Sequence, residues 1–122
     1  MERVKGIGGI FLKSNDAPAL RAWYAEHLGI AVDSWGGAIF PWNRPNGMTV
    51  WSIHEATAEG YVPASQPVMV NFIVDDLDAM LAQLRAAGAS VMDQVDDHEY
   101  GRFGWVFDPE GNKVELWQPP AE

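Results

Sequence analysis

With 122 residues, 48% of them hydrophobic, the chain has the size of one domain that buries about two-thirds of its unfolded surface. Seventeen Asp and Glu against eight Lys and Arg give a net charge of −9, which speaks against nucleic-acid and anionic-membrane partners. The sequence has no cysteine, so disulfides, thiolate-bound metals and thiol nucleophiles are excluded. No basic leader and no apolar run of about 18 residues is visible, so the expected location is cytoplasmic, without a membrane span.

Residues 4 to 13 alternate as a strand does. Asn15 or Asp16 then caps a helix that carries Pro18 in its first turn, and Leu20, Trp23, Tyr24 and Leu28 recur along it at helical spacing up to a stop at Gly29. A hairpin follows at Arg44-Pro45-Asn46-Gly47, leading into Met48 to Trp51. Val68 to Val74 read as the next strand, and Asp75 or Asp76 caps a second helix. Its apolar stripe is Leu77, Met80, Leu81 and Leu84, and Gly88 ends it. The last hairpin turns at Asp108-Pro109-Glu110-Gly111-Asn112. Pro109 presets φ there, and Gly111 and Asn112 accept the left-handed backbone that closes the turn.

These elements describe one design used twice. Asp16 and Asp76 stand 60 residues apart, Gly29 and Gly88 59 apart, and the two hairpins align at an offset of 64 that sets Trp51 in the place of Glu115. Each half reads strand, helix, strand, strand, strand. The expected fold is α+β, a single domain over residues 1–122 made of βαβββ modules at 1–55 and 66–120. Residues near 55 to 66, with Pro63 and Pro67, form the linker.

Asp108-Pro109-Glu110-Gly111-Asn112-Lys113-Val114-Glu115-Leu116 resembles the closing hairpin of the vicinal-oxygen-chelate superfamily, which includes glyoxalase I, bleomycin-resistance proteins and extradiol dioxygenases. The opening stretch Gly6 to Asp16, with Ala22-Trp23-Tyr24 and Leu28-Gly29, is similar to that superfamily's first strand and helix. The resemblance implies that the two modules curl into a U-shaped cleft with helices outside, and that the protein is a homodimer. It also implies metal-ligand positions at Gly9, Met69, Trp51 and Glu115. Of these residues only Glu115 is an anionic or imidazole donor, whereas a first-row divalent ion takes three or four donors. No metal and no other cofactor is therefore expected. His27 reads as a helix-end cation and His54 as pointing away from the cleft. His98 lies in an acidic loop, where a nonstandard metal site is the alternative to simple solvation.

Alternation along the strands places Gly9, Phe11 and Lys13, Trp51 and Ile53, Met69 and Asn71, and Lys113, Glu115 and Trp117 on the cleft face. Glu115 is either a carboxylate held inside that cleft or an edge-strand residue paired with Lys113. Arg102, between Gly101 and Gly104, either rides a lid over the cleft or bridges the acids Asp96, Asp97 and Glu99.

An aromatic, apolar lining with few polar groups suits a small molecule. The expected function is that of a metal-independent small-molecule-binding protein of the glyoxalase and bleomycin-resistance type. Its ligand would be neutral or cationic and aromatic, held by Phe11, Lys13, Trp51, Met69, Asn71, Arg102 and Trp117. The alternatives are a glyoxalase-like lyase or isomerase with Glu115 as general base, and an interaction module whose cleft is closed by its own aromatics. Ligand identity, turnover, and whether one chain or a dimer completes the cleft depend on pocket geometry.

Overall fold

The computed structural model describes residues 1–43, 47–57 and 66–121, with the side chain of Leu28 left aside. Pro63 of the expected linker and Arg44, Pro45 and Asn46 of the first hairpin lie outside the described residues. The element order is β1 (Gly6–Ser14), α1 (Ala17–Leu28), β2 (Gly37–Pro41), β3 (Met48–Glu55), β4 (Val68–Ile73), α2 (Leu77–Ala86), β5 (Ser90–Val91), β6 (Asp96–His98), β7 (Gly101–Phe107) and β8 (Lys113–Gln118). The fold is α+β.

Both helices start where a short acidic side chain satisfies the first free backbone N–H groups. Asp16 accepts from the Ala19 amide at 3.1 Å and Asp76 from the Ala79 amide at 3.0 Å. Of the two candidates at each start, the second is the cap. α1 ends at Gly29, which adopts the left-handed φ of 68° that a side chain would resist. The last hairpin closes as its residues require: Asp108 Oδ1 accepts from the amides of Glu110 and Asn112, each at 2.9 Å, and Gly111 sits at φ 85°.

The eight strands among the described residues join one mixed sheet in the order β2-β3-β1-β4-β8-β7-β5, with β6 pairing to β7. The sheet has internal two-fold character. β1 and β4 run antiparallel at its centre; β3 flanks β1 in parallel, β8 flanks β4 in parallel, and β2 and β7 pair antiparallel outside them.

The helices cover one face. From α1, Tyr24 packs on Trp51 with ring centroids 4.9 Å apart, and the Arg21 guanidinium donates to the Ile53 carbonyl. From α2, Leu77, Met80 and Leu81 form a core with Val74 and Leu116, to which Phe72, Val106 and Val114 are added. Burial of those side chains against the sheet, worth about 1.5–3 kcal/mol each, is what holds α2 in place. The opposite face carries a second cluster, Phe11, Met69 and Trp105, with Val50, Met92 and Phe103 packed around it. This is the face that the sequence assigns to the cleft.

Candidate ligand-binding cleft

One rung across the cleft face reads Val50, Gly9, Asn71, Glu115 and Trp105, each paired with the next. Glu115 comes from the middle of β8 and is 4% exposed, so its carboxylate must find partners within the protein. It has two. Asn71 Nδ2 donates to Oε1 at 2.7 Å and Trp105 Nε1 donates to Oε2 at 2.9 Å. Of the two readings the sequence allowed, the buried carboxylate is correct and the exposed edge residue is not.

Burial pushes the Glu115 carboxyl above its ordinary range; the bonds from Asn71 and Trp105 and the nearby charge of Lys113 work against that rise, and Asp96 adds to it. Lys113, on the same face and itself buried, is shifted downward by burial while the charges of Glu115 and Asp96 oppose the shift. Its ammonium lies 5.3 Å from the centroid of the Trp105 ring.

Asn71 is held in one orientation. It is 1% exposed, and its Oδ1 has no hydrogen-bond partner among the described residues. That oxygen lies against Gly8, where a Cβ would overlap it. The space left by the missing side chain admits the amide and turns Nδ2 toward Glu115.

Phe11 and Met69 are paired across β1 and β4 and, with Trp105, form a buried apolar cluster beside Glu115. Lys13 stands at the end of the same face of β1, paired with His54. Trp117 stacks on Phe103 at 5.8 Å with the rings 6° from parallel, and its Nε1 donates to the Tyr100 carbonyl at 2.9 Å. Phe11, Lys13, Met69, Asn71, Glu115 and Trp117 therefore share the face that alternation assigned to them.

Two assignments are corrected. Trp51 lies on the helix face against Tyr24, and Ile53 shares that face. The reason is register: Phe11 pairs with Ser52 as Asn71 pairs with Glu115, so Ser52, and not Trp51, stands in the place of Glu115. His54 then joins Ser52 on the cleft face, with Ser52 Oγ 2.9 Å from its Nε2. Arg102 is the second correction. It pairs with Gln118, bonds Asp97 Oδ1 at 2.7 Å and meets Asp78 of α2 at 3.1 Å, so it ties β7 to α2 and lines neither a lid nor the cleft. His98 is exposed and stacks on Tyr100 with ring centroids 4.8 Å apart. Among the described residues no three His, Cys, Asp or Glu side chains come together.

Trp105 went unrecognised in the sequence although its signal was present. Folding the last strands about the Asp108–Asn112 turn sets position 105 opposite 115 and 103 opposite 117, which places Trp105 and Phe103 on the face of Glu115. Trp35 was missed too: its ring covers the position where a Gly37 side chain would stand, beside Ser52.

The sequence matches the glyoxalase-like domain family over residues 9–117. The chain belongs to that family, and with it to the vicinal-oxygen-chelate superfamily. Among curated proteins it is 30% identical over 114 residues to CFP32 of Mycobacterium bovis, named as a glyoxylase, covering 88% of this chain and 43% of that protein. The chain thus spans less than half the length of that relative. Among solved structures, a variant of Streptomyces coelicolor methylmalonyl-CoA epimerase in complex with 2-nitronate-propionyl-CoA superposes with a TM-score of 0.77 at 19% identity, covering 98% of this chain and 100% of that one. A glyoxalase/bleomycin resistance protein/dioxygenase superfamily member from Vibrio splendidus gives 0.59 at 14% identity, covering 96% and 98%. At such identities the likeness is one of fold.

Proposed function

We propose that the protein binds a small organic molecule on the cleft face without a metal, with the apolar body of the ligand on Phe11, Met69 and Trp105 and Glu115 as the fixed polar point beside it. The observation that carries this reading is the state of Glu115, whose two oxygens are each bonded by a neutral donor, Asn71 and Trp105, beneath apolar side chains. A carboxylate locked in this way orients a neighbour. It is poorly placed to take up a proton and release it in each turnover.

The donor set does not fit a divalent ion. Gly9, Met69 and Ser52, which occupy the positions related to or flanking Glu115, bring no carboxylate and no imidazole, and a first-row metal takes three or four N, O or S ligands. The half-exposed Ile39 and Phe40 on edge strand β2 further support a homodimer.

A second reading is a glyoxalase-like isomerase in which Glu115 removes a proton next to a carbonyl. Its support is the raised pKa of Glu115, with Lys113 beside it to meet developing negative charge. It requires Asn71 or Trp105 to release one carboxylate oxygen. The two readings separate in one experiment: aromatic carboxylates, amides and amines, and small α-ketone thioesters, are incubated with the protein and followed by NMR. Saturable binding with the probe recovered unchanged supports the first reading. Exchange of a proton next to the carbonyl, abolished by Glu115→Gln, supports the second.

A further inference from the structure

The chain carries a strong excess of acid, yet the far end of the cleft face is basic. Lys13 Nζ, on this face, donates to the Ala56 carbonyl at 3.2 Å, while from α1 on the helix face the Arg21 guanidinium donates to the Ile53 carbonyl. Neither meets a carboxylate among the described residues, although the sequence has seventeen. Beside Lys13 on the cleft face stand Ser52 and His54, hydrogen-bonded at 2.9 Å, with His54 paired across the sheet to Lys13. The imidazole also meets the edge of Phe11 at 5.9 Å between centroids, so this polar corner is continuous with the apolar cluster. The nearest carboxylate in sequence, Glu55, is exposed and alternates to the other face.

We propose that Lys13, Ser52 and His54 form an anion subsite that takes the carboxylate of a ligand whose apolar part lies on Phe11. The proposal rests on the binding function inferred above and specifies its ligand class. An ammonium on the cleft face that meets no carboxylate among the described residues gains a charge-assisted bond when an anion arrives, and the polar Ser52–His54 pair stands beside it. Net charge alone favours a neutral or cationic ligand. The field at this corner is set by Lys13 at close range, while the surface acids elsewhere are screened beyond about 8 Å at physiological salt. Ser52 is the repeat counterpart of Glu115, so a hydroxyl stands in the first half where a carboxylate stands in the second.

The test compares phenylacetate with phenylacetamide, which share shape and differ in charge, by amide-resolved NMR titration of the full chain. Phenylacetate is expected to bind at least about tenfold more tightly, to shift the resonances of residues 13, 52 and 54, and to lose that advantage in Lys13→Met while phenylacetamide binding stays unchanged. Lys13→Gln serves the same purpose if the Met variant fails to reproduce the native spectrum. Equal affinity for both probes, an advantage that survives loss of Lys13, or shifts confined to other regions would overturn the subsite. If both probes bind equally and Phe11→Ala weakens both, the cleft reading stands and the subsite falls. If neither binds at about 10 mM, both fall.

Discussion

Ile10 and Val70 face each other across the ladder between β1 and β4, and they are also counterparts in the internal repeat, 60 residues apart. A pair can be both only where a two-fold axis passes between its members. The sheet is therefore organised about this point, with Glu115 on one side and Ser52 on the other in equivalent places. What distinguishes the halves is side-chain chemistry, since the backbone repeats.

Glu115 accepts from two buried donors, Asn71 and Trp105, so the fold depends on it in addition to the ligand-orienting role proposed for it. Glu115→Leu leaves Asn71 Nδ2 and Trp105 Nε1 buried without acceptors; at about 1–3 kcal/mol for each donor, the cost is roughly 2–6 kcal/mol. Glu115→Gln retains one acceptor and should cost about half as much. Urea unfolding of both variants measures this. A Leu variant as stable as the parent would remove the network from the account.

Stability should also depend on pH through the same residue. Burial raises the folded-state pKa of Glu115 above the ordinary glutamate value of 4.5, so between those two values the folded chain binds the proton more tightly than the unfolded chain. The contribution is fully present below pH 4.5 and is lost as pH rises through the raised value. Melting temperatures of the parent and Glu115→Gln, compared from acid to neutral pH, should show the parent losing ground relative to the variant as pH increases. Parallel curves would mean that Glu115 titrates normally.

Purified, tag-free protein should carry no stoichiometric Ni, Zn, Fe or Mn, since the side chains bonded to Glu115 are an amide and an indole and no three His, Cys, Asp or Glu come together among the described residues. Elemental analysis decides it. About one equivalent of metal per chain, retained on dialysis, would return the cleft to metal chemistry.

Sedimentation should give a dimer of the 13.5 kDa chain. Ile39 and Phe40, 49% and 46% exposed on edge strand β2, leave an apolar edge that a monomer seldom tolerates. Ile39→Lys should weaken the dimer. A parent chain that stays monomeric at micromolar concentration contradicts this.

The elements that depend on local chemistry were readable in the sequence: both capped helices, the Asp108–Asn112 turn and the alternation of β1, β4 and β8. Register between the halves was less so. Aligning the two hairpins by their turns gave an offset of 64 and set Trp51 against Glu115, whereas the ladders align Ser52 with it, at 63. A slip of one residue exchanges the faces of a strand. β3 offers little to detect such a slip, because Val50, Ser52 and His54 on one face and Thr49, Trp51 and Ile53 on the other both mix polar and apolar residues. The deciding contact, Tyr24 of α1 on Trp51, is tertiary. Arg102 meets Asp97, as its bridging alternative expects, while its second partner, Asp78, was hidden because it comes from a helix far away in sequence.

The most direct test of the central claim, that the cleft face binds a small molecule without converting it, is the indole N–H resonance of Trp105, the proton donated to Glu115. Titration with phenylacetate should move that resonance saturably, leave that of Trp23 on α1, half-exposed on the outer side, in place, and return the probe unchanged after prolonged incubation. A Trp105 resonance that stays still while binding is detected elsewhere, or a probe that is chemically altered, would contradict the account.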